Sequence, residues 1–91
     1  MAEVKWRGAA SADLMAIVDY ISDDNLDAAL ALMDEIEGKA SQLAEFPKRG
    51  RPGRVVGTRE LVVRRNYIVV YTEAVETVTV LHILHATQRW P

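Results

Sequence analysis

The sequence predicts a single α+β domain in which an N-terminal helical hairpin packs on one face of an antiparallel sheet, in the order β-α-α-β-β-β. The chain has 91 residues, too few for two separate hydrophobic cores. Two apolar stripes of helical period occupy its first half, and three runs rich in β-branched residues occupy its second half. We therefore expect residues 1–91 to form one domain.

The N-terminal half is expected to hold one short strand and two helices. Residues 3–7 alternate between charged and apolar side chains, the period-two pattern of a strand. From about Ala9, apolar residues recur at helical spacing and predict a helix that ends near Asp23. Asn25 is a good cap for a second helix, which should stop before Phe46 and its following proline. Because so few residues join the helices, we expect an antiparallel hairpin.

The C-terminal half is expected to form the sheet. Residues 47–53 contain two prolines and two glycines and predict a loop. Three β-rich runs follow at residues 54–64, 67–72 and 77–85, and they predict a meander. Both helices should cover one face of this sheet and leave the other face free for a partner.

Charge is divided unevenly along the chain, although the net charge is only −2. Residues 1–45 hold ten acidic and three basic residues, whereas residues 46–91 hold eight basic and three acidic residues. The two halves therefore carry net charges of −7 and +5. Seven of the eight basic residues are arginines, which suit phosphate or carboxylate partners. The alternative is a solvated loop and strand edge that charge protects from aggregation.

Several classes of site are excluded by composition. The chain has no cysteine, so it holds neither a disulfide nor a thiolate zinc site, and a reducing cytoplasm is expected. Its two histidines, His82 and His85, lie three apart on a predicted strand, which places them on opposite faces. No glycine-rich phosphate loop precedes a helix. We expect no metal and no cofactor, and no apolar run is long enough to span a membrane.

The remaining chemistry-bearing side chains suit RNA. Cleavage through the 2′-hydroxyl needs a proton acceptor, a cation at the phosphate and an acid for the leaving oxygen. We predict His85 for proton transfer and Arg59 and Arg89 for charge stabilisation, and we expect these residues to lie close together in the sheet. The residues predicted to bind RNA or a protein partner are Arg51, Arg54, Arg64, Arg65, Gln88 and Trp90.

Structural interpretations stay open for three of the ring-bearing residues. The alternative for His85 is a strand-end histidine satisfied by a backbone hydrogen bond or in contact with a partner. The alternative for Trp90 is a ring that folds back onto the domain as an edge cap. Strict alternation puts His82 on the same face as Val80 and Leu84, which indicates a place in the core or at an interface.

Motifs in a fixed order resemble the RelE/ParE toxin family. They are GRPGR at residues 50–54, GTRELV at 57–62, YIVVY at 67–71 and LHILHATQRWP at 81–91. The resemblance covers nearly the whole chain. Thr72 departs from it, since an arginine commonly follows the tyrosine at this point, and a cation is thereby lost from the face where RNA would lie.

The resemblance implies the toxin of a type II toxin–antitoxin system, a cytoplasmic growth inhibitor. Its partner would be a cognate antitoxin whose flexible C-terminal segment wraps the toxin in a hetero-oligomer. We expect a RelE-like endonuclease that cuts mRNA on the ribosome. The alternatives are a ParE-like inhibitor that binds DNA gyrase without being an enzyme, and a degenerate module that only binds an antitoxin. The net negative charge of the chain argues against docking on ribosomal RNA.

Overall fold

Two helices and a five-stranded sheet form the structure, a computed structural model that describes residues 2–91. The elements are β1 (Glu3–Trp6), α1 (Gly8–Ser22), α2 (Leu26–Gln42), β2 (Arg51–Pro52), β3 (Arg59–Val63), β4 (Tyr67–Glu73) and β5 (Thr77–His85). The strands lie in the order β1-β5-β4-β3-β2, and both helices pack on the same face of the sheet. The predicted α+β fold and its helical hairpin are confirmed.

One strand pair departs from the prediction of an antiparallel sheet. The pairs β2–β3, β3–β4 and β4–β5 are antiparallel, but β1 pairs with β5 in parallel, so the sheet is mixed. The helical hairpin and the whole meander separate β1 from β5 in sequence. No tight turn therefore fixes the direction of β1, and tertiary packing decides it.

The predicted strand over residues 54–64 is wrong in its first half. Only β3 is a regular strand there, and residues 53–58 form a loop closed by the Gly53 N–H, which donates to the Thr58 carbonyl at 2.8 Å. Gly57 has a φ of +88°, a conformation that side chains with a Cβ rarely adopt. The β-branched composition of this stretch favoured a strand, but the backbone at Gly57 interrupts it.

The main core lies between the helices and the sheet. Its most completely buried side chains are Leu32, Ile36, Leu43, Val63, Val69, Tyr71, Val78, Val80 and Ile83. A second, smaller cluster lies on the opposite face of the sheet and consists of Ile68, Val70 and Leu84. Both faces of β4 are therefore apolar, which explains its near-continuous run of hydrophobic residues.

A β-bulge in β5 changes which residues share a face. Val70 pairs with His82 and Tyr71 pairs with Val80, so Leu81 is an extra residue in the ladder. Val80 consequently faces the helices, whereas His82 lies on the same face as its pairing partner Val70, beside Trp90. The prediction that His82 shares a face with Val80 is wrong, because the bulge shifts the alternation by one residue.

The start of α2 follows its capping residue. The Asn25 side chain accepts a hydrogen bond from the Ala28 N–H at 3.0 Å and so starts α2, as its position in the sequence predicted.

On α1, one carboxylate oxygen of Asp13 accepts from the Ile83 N–H and from His82 Nδ1, both at 3.0 Å. This carboxylate ties α1 to β5 beyond the end of β1. Neither α1 nor α2 is long and apolar enough to cross a membrane.

Candidate functional site

The strand register separates the residues predicted to act together. Arg59 of β3 pairs with Tyr71 of β4, which pairs with Val80 of β5, whereas His85 pairs with Tyr67 at the other end of β4. A strand rises about 3.4 Å per residue, so the four positions from Tyr71 to Tyr67 place Arg59 roughly 14 Å from His85 along the strands alone. The prediction that Arg59 lies close to His85 is wrong, because the register carries them to opposite ends of the sheet.

Arg59 is bonded within the protein. Its Nε donates to Glu73 at 3.0 Å, and its Nη1 donates to the carbonyl oxygens of Gly50 at 2.8 Å and Lys48 at 3.5 Å. Partial desolvation raises the pKa of Glu73, but hydrogen bonds from Arg59 and Lys48 and their charges outweigh it, so this pKa lies below its ordinary value. Arg59 therefore fastens the loop before β2 to the end of β4.

Arg51 and Arg54 enclose a buried carboxylate on the face of the sheet opposite the helices. Glu60 is 2 % exposed; its oxygens lie 3.2 Å from Arg51 Nη2 and 3.4 Å from Arg54 Nε, and one accepts from the Arg54 N–H at 3.0 Å. Burial raises the pKa of Glu60, but these bonds and charges lower it by more than burial raises it. The pKa of Glu60 therefore lies below its ordinary value. Arg54 Nη1 also donates to the Gln88 carbonyl at 3.3 Å, which links this cluster to the C-terminal segment.

The C-terminal segment folds back over the same face. Trp90 packs against the cluster of Ile68, Val70 and Leu84, and its ring centre lies 5.9 Å from that of His82. Trp90 therefore folds back onto the domain, as its structural alternative expected, but it covers a face of the sheet and not an edge. The expectation that this face is left free is therefore met only in part, because the chain covers its apolar centre itself.

His85 is exposed at the end of β5. Its Nδ1 lies 2.9 Å from the Thr87 hydroxyl and accepts from the Thr87 N–H at 3.3 Å, and its ring contacts the Tyr67 ring edge-on. The bond from the Thr87 N–H favours the neutral tautomer that carries its proton on Nε2. In that tautomer Nε2 is a hydrogen-bond donor, and the Nδ1 lone pair that a general base would use is occupied by the Thr87 N–H.

Two cations, one in the β3–β4 turn and one in the C-terminal segment, have no partner among residues 2–91. The β3–β4 turn lies beside the C-terminal segment, since the Ala86 N–H donates to the Asn66 carbonyl at 2.6 Å. Arg64 in this turn pairs with Glu35 at 2.7 Å. Within residues 2–91, Arg65 and Arg89 are exposed and make no side-chain hydrogen bond or ion pair. In the described part of the chain, the β3–β4 turn and the C-terminal segment thus each present one free cation.

No metal site is formed by the side chains of residues 2–91. Sequence reasoning missed three polar residues with structural roles: the buried Glu60, the hydroxyl of Tyr71 and the Asp13 carboxylate. Only Glu60 and Tyr71 stood in a recognised motif. Asp13 gave no signal, because its partners are about 70 positions away in the chain.

Comparison with protein families decides the identity. The family model described as the ParE toxin of the type II toxin–antitoxin system parDE matches residues 4–90. The chain belongs to the ParE toxin family. The resemblance to RelE/ParE toxins seen in the sequence is confirmed, and a cognate antitoxin is implied by membership of this family.

Two curated relatives of this ParE-family toxin carry different names. It is 39 % identical over 89 residues to a putative toxin, Y4kP, of Sinorhizobium fredii, which covers 97 % of this chain and 92 % of the relative. It is 40 % identical over 88 residues to toxin RelE2 of Caulobacter vibrioides, which covers 97 % and 99 %. Both relatives are thus named as toxins, and only the name RelE2 suggests a branch of the family.

Solved structures support the fold of the toxin. A chain from the chromosomal ParDE system of P. aeruginosa aligns with a TM-score of 0.81 at 28 % identity, over 93 % of this chain and 96 % of that chain. YafQ from E. coli aligns with a TM-score of 0.65 at 15 % identity, over 93 % of both chains. The likeness to YafQ is one of fold alone.

Proposed function

We propose that this toxin inhibits growth as a ParE-type inhibitor that binds DNA gyrase, is not itself a nuclease, and is neutralised by its cognate antitoxin in the cytoplasm. The observation that carries the proposal is the separation of Arg59 from His85. A nuclease of this kind needs a cation and a proton-transfer group at one phosphate, within about 3 Å of the reacting atoms. The strand register holds these two residues far apart.

The state of the individual arginines supports the same proposal. Arg51, Arg54 and Arg59 are engaged with Glu60 and Glu73. Each of these pairs uses guanidinium donors and balances positive charge that a phosphate would otherwise receive. Three of the arginines that the motifs bring together are thus bound within the chain.

The second candidate is the RelE-like endonuclease that cuts mRNA on the ribosome. Its support is the exposure of His85, Arg65 and Arg89, together with the 40 % identity to a toxin named RelE2. The hydrogen bond to His85 Nδ1 and the net charge of −2 both count against it.

The two candidates are separated by inducing the chain without its antitoxin and following the same culture in two ways. A gyrase inhibitor produces DNA breaks and an SOS response while a reporter mRNA stays intact by primer extension. An endonuclease cuts the reporter mRNA without DNA breaks, and His85→Ala abolishes the cuts. Purified toxin should also inhibit supercoiling by gyrase, with heat-denatured toxin as the control.

Cleavage of the reporter that His85→Ala removes would overturn the gyrase proposal. Growth arrest with neither effect would point to another target. If the chain proves harmless but still binds its antitoxin, it is a module that has lost toxicity.

A further inference from the structure

An exposed aromatic residue projects from the loop between α2 and β2. The Phe46 side chain is 52 % exposed, and the guanidinium carbon of Arg49 lies 5.0 Å from the centre of its ring. Arg49 Nη1 donates to Gln42 at 2.6 Å, which fixes the cation at this position. An arginine stacked on an aromatic ring presents apolar area and charge together, the combination enriched in protein-binding hot spots.

The backbone that carries this pair is unusually well anchored for an exposed loop. The hydroxyl of Tyr71, a residue with no exposed surface, donates to the Pro47 carbonyl at 2.7 Å and accepts from the Gly50 N–H at 2.9 Å. Arg59 Nη1 donates to the Gly50 carbonyl at 2.8 Å. A Cβ on Gly50 would stand 2.7 Å from the Tyr71 hydroxyl oxygen, so the close approach requires glycine. The loop is therefore held in place before any partner binds.

Charge around the pair indicates the chemistry of a partner. Arg49 is exposed beside Phe46 and bonds only to the neutral Gln42, and the neighbouring Lys48 is 77 % exposed although it pairs with Glu73. Glu45 is the one acidic residue among residues 45–51. A surface that receives this loop should therefore be apolar at its centre and acidic at its edge.

We propose that residues 46–50, the Phe46 loop, form the surface by which the toxin binds its target protein. Phe46 and Arg49 would insert into an apolar pocket of the target that has carboxylates at its rim. The proposal rests on the proposed function, in which the target is a protein. A rigid projection fits a preformed pocket on a folded protein, whereas a flexible antitoxin segment needs a groove to lie in. Because the loop is already ordered, little conformational entropy is lost on binding.

The test compares full-length variants in two assays, inhibition of gyrase supercoiling and growth arrest in cells. The variants are Phe46→Ser and Arg49→Glu, with Tyr20→Ser as the matched control, since Tyr20 is an aromatic residue 81 % exposed on α1. Loss of a hot-spot residue should raise the half-inhibitory concentration about tenfold or more for both loop variants. Tyr20→Ser should match the wild type, and all variants should bind the antitoxin within about threefold of it.

Tyr71→Phe supplies a second test, because it leaves Phe46 in place but removes both hydroxyl bonds to the loop. It should weaken inhibition although every exposed side chain is unchanged. Circular dichroism and antitoxin binding establish that each variant is folded.

The outcomes separate the loop from the identity of the target. If wild-type toxin inhibits gyrase and Phe46→Ser does so equally well, the loop proposal is overturned. If antitoxin binding falls as much as inhibition does, the loop belongs to the antitoxin interface and the proposal is also overturned. If the toxin does not inhibit gyrase but growth arrest still depends on Phe46, the gyrase target is wrong and the loop proposal stands. If the wild-type toxin does not arrest growth, both the gyrase proposal and the loop proposal are overturned.

Discussion

At the scale of single residues, Tyr71 is the buried polar group on which the loop before β2 depends. Tyr71→Phe leaves the Gly50 N–H and the Pro47 carbonyl without their partner, and we expect a loss of about 1–3 kcal/mol in the free energy of unfolding. Burial raises the pKa of Tyr71, so the hydroxyl keeps its proton for donation. Urea denaturation measures the loss. Tyr67→Phe is the control, because the Tyr67 hydroxyl makes no hydrogen bond within residues 2–91, and equal stability losses in both variants would contradict this role.

Glu60 should make stability depend on pH. Its folded-state pKa lies below the ordinary value of 4.5, so its contribution is complete above about pH 4.5 and is lost as the pH falls through the folded pKa. Glu60→Gln should cost about 1–3 kcal/mol at pH 7 and progressively less below pH 4.5. Urea denaturation at pH 7 and pH 3.5 tests this, with the exposed Glu76→Gln as control. A difference from the wild type that does not shrink in acid would rule out the proposed charge pairing.

At the scale of elements, the β3–β4 turn is strained. Arg64 and Arg65 have φ values of +55° and +70°, in the left-handed region that glycine adopts most easily. Arg65→Gly should therefore stabilise the protein by about 1 kcal/mol, whereas Arg65→Ala should not, because alanine keeps the Cβ that causes the strain. Thermal denaturation of the two variants makes the comparison. If glycine and alanine have the same effect, the turn holds no strain that depends on the Cβ.

At the scale of the whole molecule, the C-terminal segment closes a second apolar cluster on the sheet. Trp90→Ala should expose Ile68, Val70 and Leu84, lower the free energy of unfolding by about 1.5–3 kcal/mol and increase the binding of a hydrophobic dye. Arg89→Ala, the change next to it in the segment, is the control. Unchanged dye binding in Trp90→Ala would mean that the segment does not cover the cluster in solution.

The uneven charge also belongs to this scale. The acidic half of the chain forms β1 and both helices, and the basic half forms the loop and the rest of the sheet. Part of the basic charge is neutralised within that half by Glu60 and Glu73, and Arg64 pairs with Glu35 on α2. The basic surface offered to a partner is therefore smaller than the sequence suggests.

Local patterns in the sequence determined the elements of this protein. The helical stripes and the Asn25 cap placed α1 and the start of α2 within a residue or two, and the β-rich runs placed β4 and β5, because these signals act between residues close in the chain. The ordered motifs also identified the toxin family.

Only the tertiary structure decided how the functional side chains are combined. Contacts between distant segments decide three features: the parallel pairing of β1, the bulge at Leu81, and the register that separates Arg59 from His85. The pairing of arginines with Glu60 and Glu73 depends on which strands become neighbours. A list of cations and histidines in a sequence carries no distances between them, and in this toxin the strand register places Arg59 far from His85.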